Sequence, residues 1–470
     1  MTDLTSLSAS ALSAMIAARS VSAVEVMQAH LDRIARVNPD LNAVISLRAA
    51  DDLLAEARAA DAAPRRGWLH GLPLAVKDLA LVKGIRSTSG SPIFADLVPA
   101  EDDALARALR ATGAILIGKT NTPEFGLGSH SFNPIFGVTR NPYDKTRTAG
   151  GSSGGAAAAL AARLVPIADG SDMMGSLRNP AAFCNVYGFR PSYGLVPSDP
   201  VGDTFLHQLS TNGPMGRTVE DVARLLESLA RPDPRLPHSR PPEAYAEGLD
   251  IDPKGARIGW LGDWGGAYPM EPGILGLCER ALETFTALGA HVEPVAPPFP
   301  AEKIWDAWIT LRSFAIAGGV APLHANPKTR ALLKPEMLWE VERGLALSAM
   351  EVHRASTLRS QWFATLAELF QTYDALVLPS AQVWPFPVEW RYPEAINGHP
   401  MDTYHRWMEV VIPVSLVGLP ALALPAGFGP QGLPMGMQLF GPRGADRAIL
   451  RLGQAYHRAT DWPARRPPAL

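Results

Sequence analysis

Two cysteines in 470 residues, Cys184 and Cys278, are too few for a disulfide framework and stand at no metal-ligand spacing. They suit a reducing compartment, so a cytoplasmic protein is expected. An excess of either charge is also lacking: 43 Lys and Arg against 46 Asp and Glu leave a formal net charge of −3. That balance gives no electrostatic reason to bind nucleic acid or an anionic membrane. No apolar run reaches the roughly 18 residues needed to cross a bilayer. Met1 to Ser20 has no basic start and its apolar residues are interrupted by serines, so no secretory leader is read there. No stretch offers a metal motif such as His-Glu-x-x-His, and neither a metal nor a cofactor is expected.

What remains is an ordinary globular composition, 47% hydrophobic and 19% charged, with enough apolar residues for a large core. Ser22 with Glu25 makes a capping box, and Val24, Met27, Leu31 and Ile34 form a helical stripe that Asn38-Pro39 is expected to stop. From there the pattern alternates as an α/β fold requires: strand Ala43 to Leu47, helix Ala50 to Ala60, strand Pro73 to Asp78, helix Asp102 to Ala111 and strand Ala114 to Ile117. Gly113 to Thr120 matches a glycine-rich phosphate loop ending in Lys-Thr. Its middle reads as strand, and Pro123 breaks the helix that should follow, so nucleotide binding is not expected.

The informative stretch is Thr148 to Pro180. It holds two serine clusters, Gly150-Gly151-Ser152-Ser153-Gly154-Gly155 and Asp172-Met173-Met174-Gly175-Ser176. Between them the alanine run Ala156 to Ala162 predicts a short helix and Leu164 to Ala168 a buried strand, which returns the second cluster toward the first. A serine hydroxyl is a weak nucleophile unless a neighbour takes its proton. Histidine is the usual base, yet none lies between His130 and His207. A lysine serves instead where burial disfavours its ammonium form. Lys77, in the apolar run Leu72-Pro73-Leu74-Ala75-Val76-Lys77-Asp78, is the candidate.

These residues resemble the amidase signature family of amide hydrolases. The resemblance extends through Gly118-Lys119-Thr120-Asn121, Pro123-Glu124-Phe125, Arg140-Asn141-Pro142, Gly188-Phe189-Arg190-Pro191-Ser192-Tyr193-Gly194, Gly418-Leu419-Pro420 and Gly432 to Gln438. It implies one large α/β domain over 1–470, with a mixed, mostly parallel central sheet covered by helices on both faces. Within it, 1–70 would hold the N-terminal helices and entry strand, 71–230 the catalytic core and 257–470 the C-terminal half. It further implies a Ser-cisSer-Lys triad of Ser176 as nucleophile, Ser152 as bridge and Lys77 as base, with a cis peptide at Gly151-Ser152. The backbone N–H groups of Met173, Met174, Gly175 and Ser176 would form the oxyanion hole. Thr122 to Asn133, with Phe125, Gly126, Leu127 and Gly128, would wall the pocket. Asp172 and Arg178 resemble positions that brace the loop, as an ion pair. Ser153 either hydrogen-bonds the bridging serine or fills a tight turn, and Ser171 matches no role. The chain departs from the family where two glycines usually precede the nucleophile: Met174 replaces the first. Methionine tolerates positive φ poorly. The oxyanion hole therefore requires a negative φ there, and the Met174 side chain is expected to crowd or line the pocket.

Helix Val219 to Ala230, capped by Thr218, closes the first half, and the proline-rich 231–256 reads as a surface crossing. Strand Arg257 to Leu261, helix Gly273 to Leu288 and strand His291 to Val295 resume the alternation. Segment 301–410 is read as the specificity region, with helices from Lys303 to Ile316 and Met350 to Leu369 and a strand from Ala375 to Leu378. It carries seven of the eleven tryptophans: Trp305, Trp308, Trp339, Trp362, Trp384, Trp390 and Trp407. Aromatics over a serine pocket suit an apolar or aryl amide, although for any single one helix packing is the stronger expectation. The leading function is hydrolysis of a small carboxamide or N-substituted amide through an acyl-serine. The alternatives are the glutaminase subunit of a tRNA-dependent amidotransferase, with Arg312, Arg359 or Asp402 as polar anchors, and a catalytically silent binding protein. Expected partners are a small-molecule amide and no nucleic acid or membrane; a homodimer stays open.

Overall fold

Residues alternate in their direction along the central strands, and each direction meets a different apolar cluster. Leu74 and Val76 join one cluster with Leu116 and Ile167, while Ala75 joins the other with Ile115, Ile117 and Ala168. This period of two means that both faces are covered. Helices Ala104–Ala111, Val219–Leu229 and Ile274–Ala287 lie on the first side; Ala23–Leu41, Ala50–Ala62 and Gly154–Ala161 lie on the second. The computed structural model describes residues 3–470, so Met1 and Thr2, read above as the start of a leaderless segment and of the single domain, lie outside the described residues.

The central sheet has eleven strands: β1 (Val44–Ile45), β2 (Pro73–Lys77), β3 (Ile115–Thr120), β4 (Ile167–Asp172), β5 (Tyr187–Arg190), β6 (Thr211–Gly216), β7 (Arg257–Trp260), β8 (His291–Pro294), β9 (Ala375–Pro379), β10 (Ala421–Phe428) and β11 (Pro434–Phe440). Their order is β1-β3-β2-β4-β6-β5-β10-β11-β9-β7-β8. Parallel pairing joins β3, β2 and β4 on one side and β9, β7 and β8 on the other. An antiparallel run from β4 through β6, β5, β10 and β11 to β9 links these blocks. The expected parallel arrangement thus describes the two blocks, and the middle, which joins strands from both halves of the chain, is antiparallel.

Two local expectations shift, and a third, the strand inside the phosphate-loop lookalike, holds. The second helix runs through Pro39 to Leu41 and ends on Asn42 at φ +53. The proline removes one hydrogen bond and crowds the carbonyl four residues back, yet Asn42 N–H still donates to Asn38 O at 2.7 Å, so the helix closes one turn later. The strand expected at Leu164 to Ala168 forms at Ile167–Asp172, past Pro166, and therefore carries Asp169 and Asp172 into the sheet. The phosphate-loop lookalike is strand β3; its Lys119 is buried and pairs with Asp78 at 3.9 Å. The specificity segment also contains a helix that the pattern did not reveal, Pro335–Ala346, packed against Ala301–Ala325.

Candidate active site

The alanine run explains how the serine clusters meet. All eight residues of helix Gly154–Ala161 are buried, because small side chains let it pack closely against both the sheet and the neighbouring helix Arg178–Cys184. Ser153 is its N-cap residue, and Ser153 N–H donates to Ser176 O at 3.2 Å, tying one cluster directly to the other. The Gly151-Ser152 peptide is cis. Ser129 holds it from both sides: its Oγ donates to Gly151 O at 2.7 Å and accepts from Gly151 N–H at 3.1 Å.

Lys77, at the end of β2, is 1% exposed. Its Nζ donates to Ser152 Oγ at 2.7 Å, Ser153 Oγ at 2.8 Å and Ser171 Oγ at 3.0 Å. Burial pulls its pKa down to about 7, against the opposing pull of Asp169 and Asp172. Three hydroxyls and no carboxylate contact this ammonium, so neutral lysine is accessible near neutral pH. His130 lies close to the glycine segment but bonds Thr148 Oγ1 and Val388 O, and no histidine lines the cavity among the described residues.

Ser176 Oγ opens onto a cavity of about 100 Å³ that Ser152 and Ser171 also line. The loop before it is built around Asp172. That carboxylate receives Arg178 through two N–H groups at 3.0 Å each, Arg190 at 3.0 Å, Gly175 N–H at 2.9 Å and Leu177 N–H at 3.2 Å. Burial alone would raise its pKa, but Arg178 and Arg190 outweigh burial and hold it well below the carboxylate range. Gly175 turns the chain at φ +78, whereas Met174 keeps a negative φ and sends its side chain to the cavity wall. Gly175 drops out of the expected set of free oxyanion donors, since its N–H is committed to Asp172. Met173, Met174 and Ser176 have no protein acceptor for their N–H groups among the described residues.

Phe125, Gly126, Leu127 and Gly128 line the cavity. Gly126 has φ +70, and a side chain there would press on Leu79 and Ser152. Leu79, Ile316 and Met408 complete an apolar wall. Arg312 is the one charged group in the lining, and it is already engaged: Nε pairs with Glu340 at 2.6 Å and an Nη donates to Tyr404 OH at 2.8 Å. Of the other anchors considered, Arg359 is absent from the lining and Asp402 lines a separate surface groove with Trp339 and Trp390.

The tryptophans are elsewhere. None of the seven lines the cavity; Trp308, Trp362 and Trp407 are core residues, and Trp362 and Trp407 donate from their indoles to Pro413 O and Tyr404 O. Sequence reasoning also passed over Ser171, Asp169 and Arg190. A strand extended to Asp172 would have exposed the first two; only spatial packing reveals Arg190.

A buried lysine bonded to a serine, with a second serine open to an apolar cavity below free N–H groups, has the chemistry of a serine hydrolase without histidine. The comparisons with known proteins agree. A family model described as Amidase matches residues 25–450. Acylamidase of Rhodococcus erythropolis is 32% identical over 469 residues, 98% of this chain and 97% of that protein. A glutamyl-tRNA(Gln) amidotransferase subunit of Thermosynechococcus vestitus is 35% identical over 473 residues, 95% of this chain and 96% of that protein. The crystal structure of a bacterial aryl acylamidase of the amidase signature family superposes with a TM-score of 0.90 at 30% identity, over 98% of this chain and 99% of that one. The chain belongs to the amidase signature family, whose enzymes hydrolyse amides.

Proposed function

We propose that the protein is a stand-alone amidase that cleaves a small amide with an apolar or aryl acyl group through an acyl-enzyme on Ser176. The observation that carries this reading is the 2.7 Å contact between buried Lys77 and Ser152, where Ser152 in turn lines one cavity with Ser176. Ser176 Oγ attacks the carbonyl carbon while its proton passes through Ser152 Oγ to neutral Lys77. The carbonyl oxygen becomes an oxyanion, received by the N–H groups of Met173, Met174 and Ser176. Collapse breaks the C–N bond, and the amine leaves with the proton returned from Lys77 through Ser152. Water then attacks the ester over the same relay and frees the acid and Ser176.

A second reading is the glutaminase subunit of an amidotransferase, supported by the 35% identity to a protein of that kind. Glutamine carries a charged head group, and the lining offers no uncommitted charge to receive it, since Arg312 is neutralised by Glu340. The cavity therefore supports the amidase. The test is ammonia or amine release by the purified chain alone over aryl, aliphatic and amino-acid amides and glutamine, beside Ser176→Ala. Release that vanishes in the variant supports the proposal. Release from glutamine only after a partner is added favours the second reading, and no release from any member would favour a silent binding protein.

A further inference from the structure

Three buried charges surround the lysine without entering the mechanism above: Asp78, Lys119 and Asp169, each fully buried. Asp169 is the one that touches Lys77. Pairing between β2 and β4 is limited to Ala75 with Ala168, so the main chain supplies no ladder acceptor for Lys77 N–H. The Asp169 carboxylate takes that place, accepting the N–H at 3.1 Å with one oxygen and 3.4 Å with the other. The end of β2 is thereby fixed by a side chain, at the residue whose Nζ reaches Ser152.

The geometry points to Asp169 as a positioning residue for Lys77, one that anchors its main chain and supplies the buried negative charge against which the ammonium loses its proton. This rests on Lys77 acting as the base. An asparagine would accept the same N–H, and a buried carboxylate is costly unless its charge is used. The use is in the proton relay. A base that must accept a proton from serine and return it to the amine works best with a pKa near the working pH. Burial lowers the pKa of Lys77, and Asp169, with Asp172, opposes the fall. The charged groups facing this carboxylate are Lys77 from β2 and Lys119 from β3, the latter paired with Asp78 at 3.9 Å. Along β4 stands Asp172, already held by Arg178 and Arg190. On the other side, β6 and the helix Gly154–Ala161 carry no ionisable side chain.

The test is the pH dependence of Ser176 sulfonylation by phenylmethylsulfonyl fluoride, which needs no knowledge of the substrate. Burial pushes the Asp169 carboxyl up to about 6, still below the midpoint of the lysine, so it is charged where Lys77 titrates. In Asp169→Asn the acid limb should therefore move to lower pH by about one unit, because an opposite charge beside the lysine has gone. One unit below the wild-type midpoint, the rate relative to each protein's own plateau then rises about fivefold. Asp169→Ser, smaller and also uncharged, carries the same expectation, so failure of one variant to fold does not spare the proposal. A limb that stays in place, or moves upward, in the folded variants overturns it, even where the plateau falls as a purely structural role would require. A wild-type profile without an acid limb would instead remove Lys77 as the base, and this inference with it.

Discussion

Lys77 Nζ lies 2.7 Å from Ser152 Oγ in a site closed to solvent. Both consequences of that contact, a reactive serine and a lysine with a depressed pKa, come from one cause: the strand that carries Lys77 runs into the interior. Activity should therefore rise with pH along a single acid limb whose midpoint lies near 7. The sign follows from the protonation state, since ammonium cannot accept the proton and neutral amine can. The pre-steady-state rate of acylation against pH measures it; a flat profile across neutrality would exclude Lys77 as the titrating base.

Replacing the lysine separates its cost from its use. Lys77→Met should lower kcat by about a thousandfold or more, the scale of a lost general base, and at the same time raise Tm. Burial lowers the folded-state pKa below the ordinary value, so the unfolded chain binds the extra proton between about pH 7 and 10.5. Stability from this group is greatest above that window and declines as pH falls through it. Thermal melts at several pH values should show wild type losing stability relative to Lys77→Met from alkaline to neutral pH. Parallel curves would show that Lys77 carries no burial penalty.

Asp172 carries the opposite sign. Its folded pKa is depressed by Arg178 and Arg190, so its contribution is present above the ordinary carboxylate range and is lost only as pH falls well below it. Asp172→Asn leaves two buried guanidinium groups short of a counter-charge and frees the loop at Gly175. Urea unfolding should register a loss of about 3–5 kcal/mol, as when a buried pair is broken. Stability within about 1 kcal/mol of wild type would mean, by the same principle, that Gln438, Ser415 and backbone carbonyls satisfy the arginines alone.

Much of this was legible because local chemistry and fold agreed. The alternation from Ala43 to Ile117 is a property of neighbouring residues, and β2 and β3 formed where it placed them. The phosphate-loop lookalike failed for the same reason, since Ile115 and Ile117 prefer a sheet. What escaped depends on contacts far apart in sequence. Ser171 reaches Lys77 only because β4 lies beside β2, and Arg190 reaches Asp172 from β5. The tryptophans follow the packing expectation and not the pocket one, because an indole fills a core as readily as a pocket: Trp362 is packed against Trp264 and Phe299. Arg312 was one of three anchors open to the glutaminase reading, and no pattern in its own helix announces that it pairs with Glu340.

Met174 stands where a glycine is expected before the nucleophile. Because its φ is negative, a methionine costs the loop nothing in backbone strain, and its side chain occupies space where a glycine would leave a void. With a cavity of only about 100 Å³, that side chain limits how large an acyl group can sit beside Ser176. Met174→Gly should therefore enlarge the acyl pocket. It should raise kcat/KM for bulky aryl amides by about tenfold or more and lower it for the smallest acyl groups, which lose contact with the wall; one or two methylenes in an apolar pocket are worth about 1–3 kcal/mol. A series of anilides with acyl chains of increasing size measures this directly. If the ratio of large to small substrates does not change, Met174 is not what bounds the acyl group, and Ile316 and Met408 become the next walls to vary.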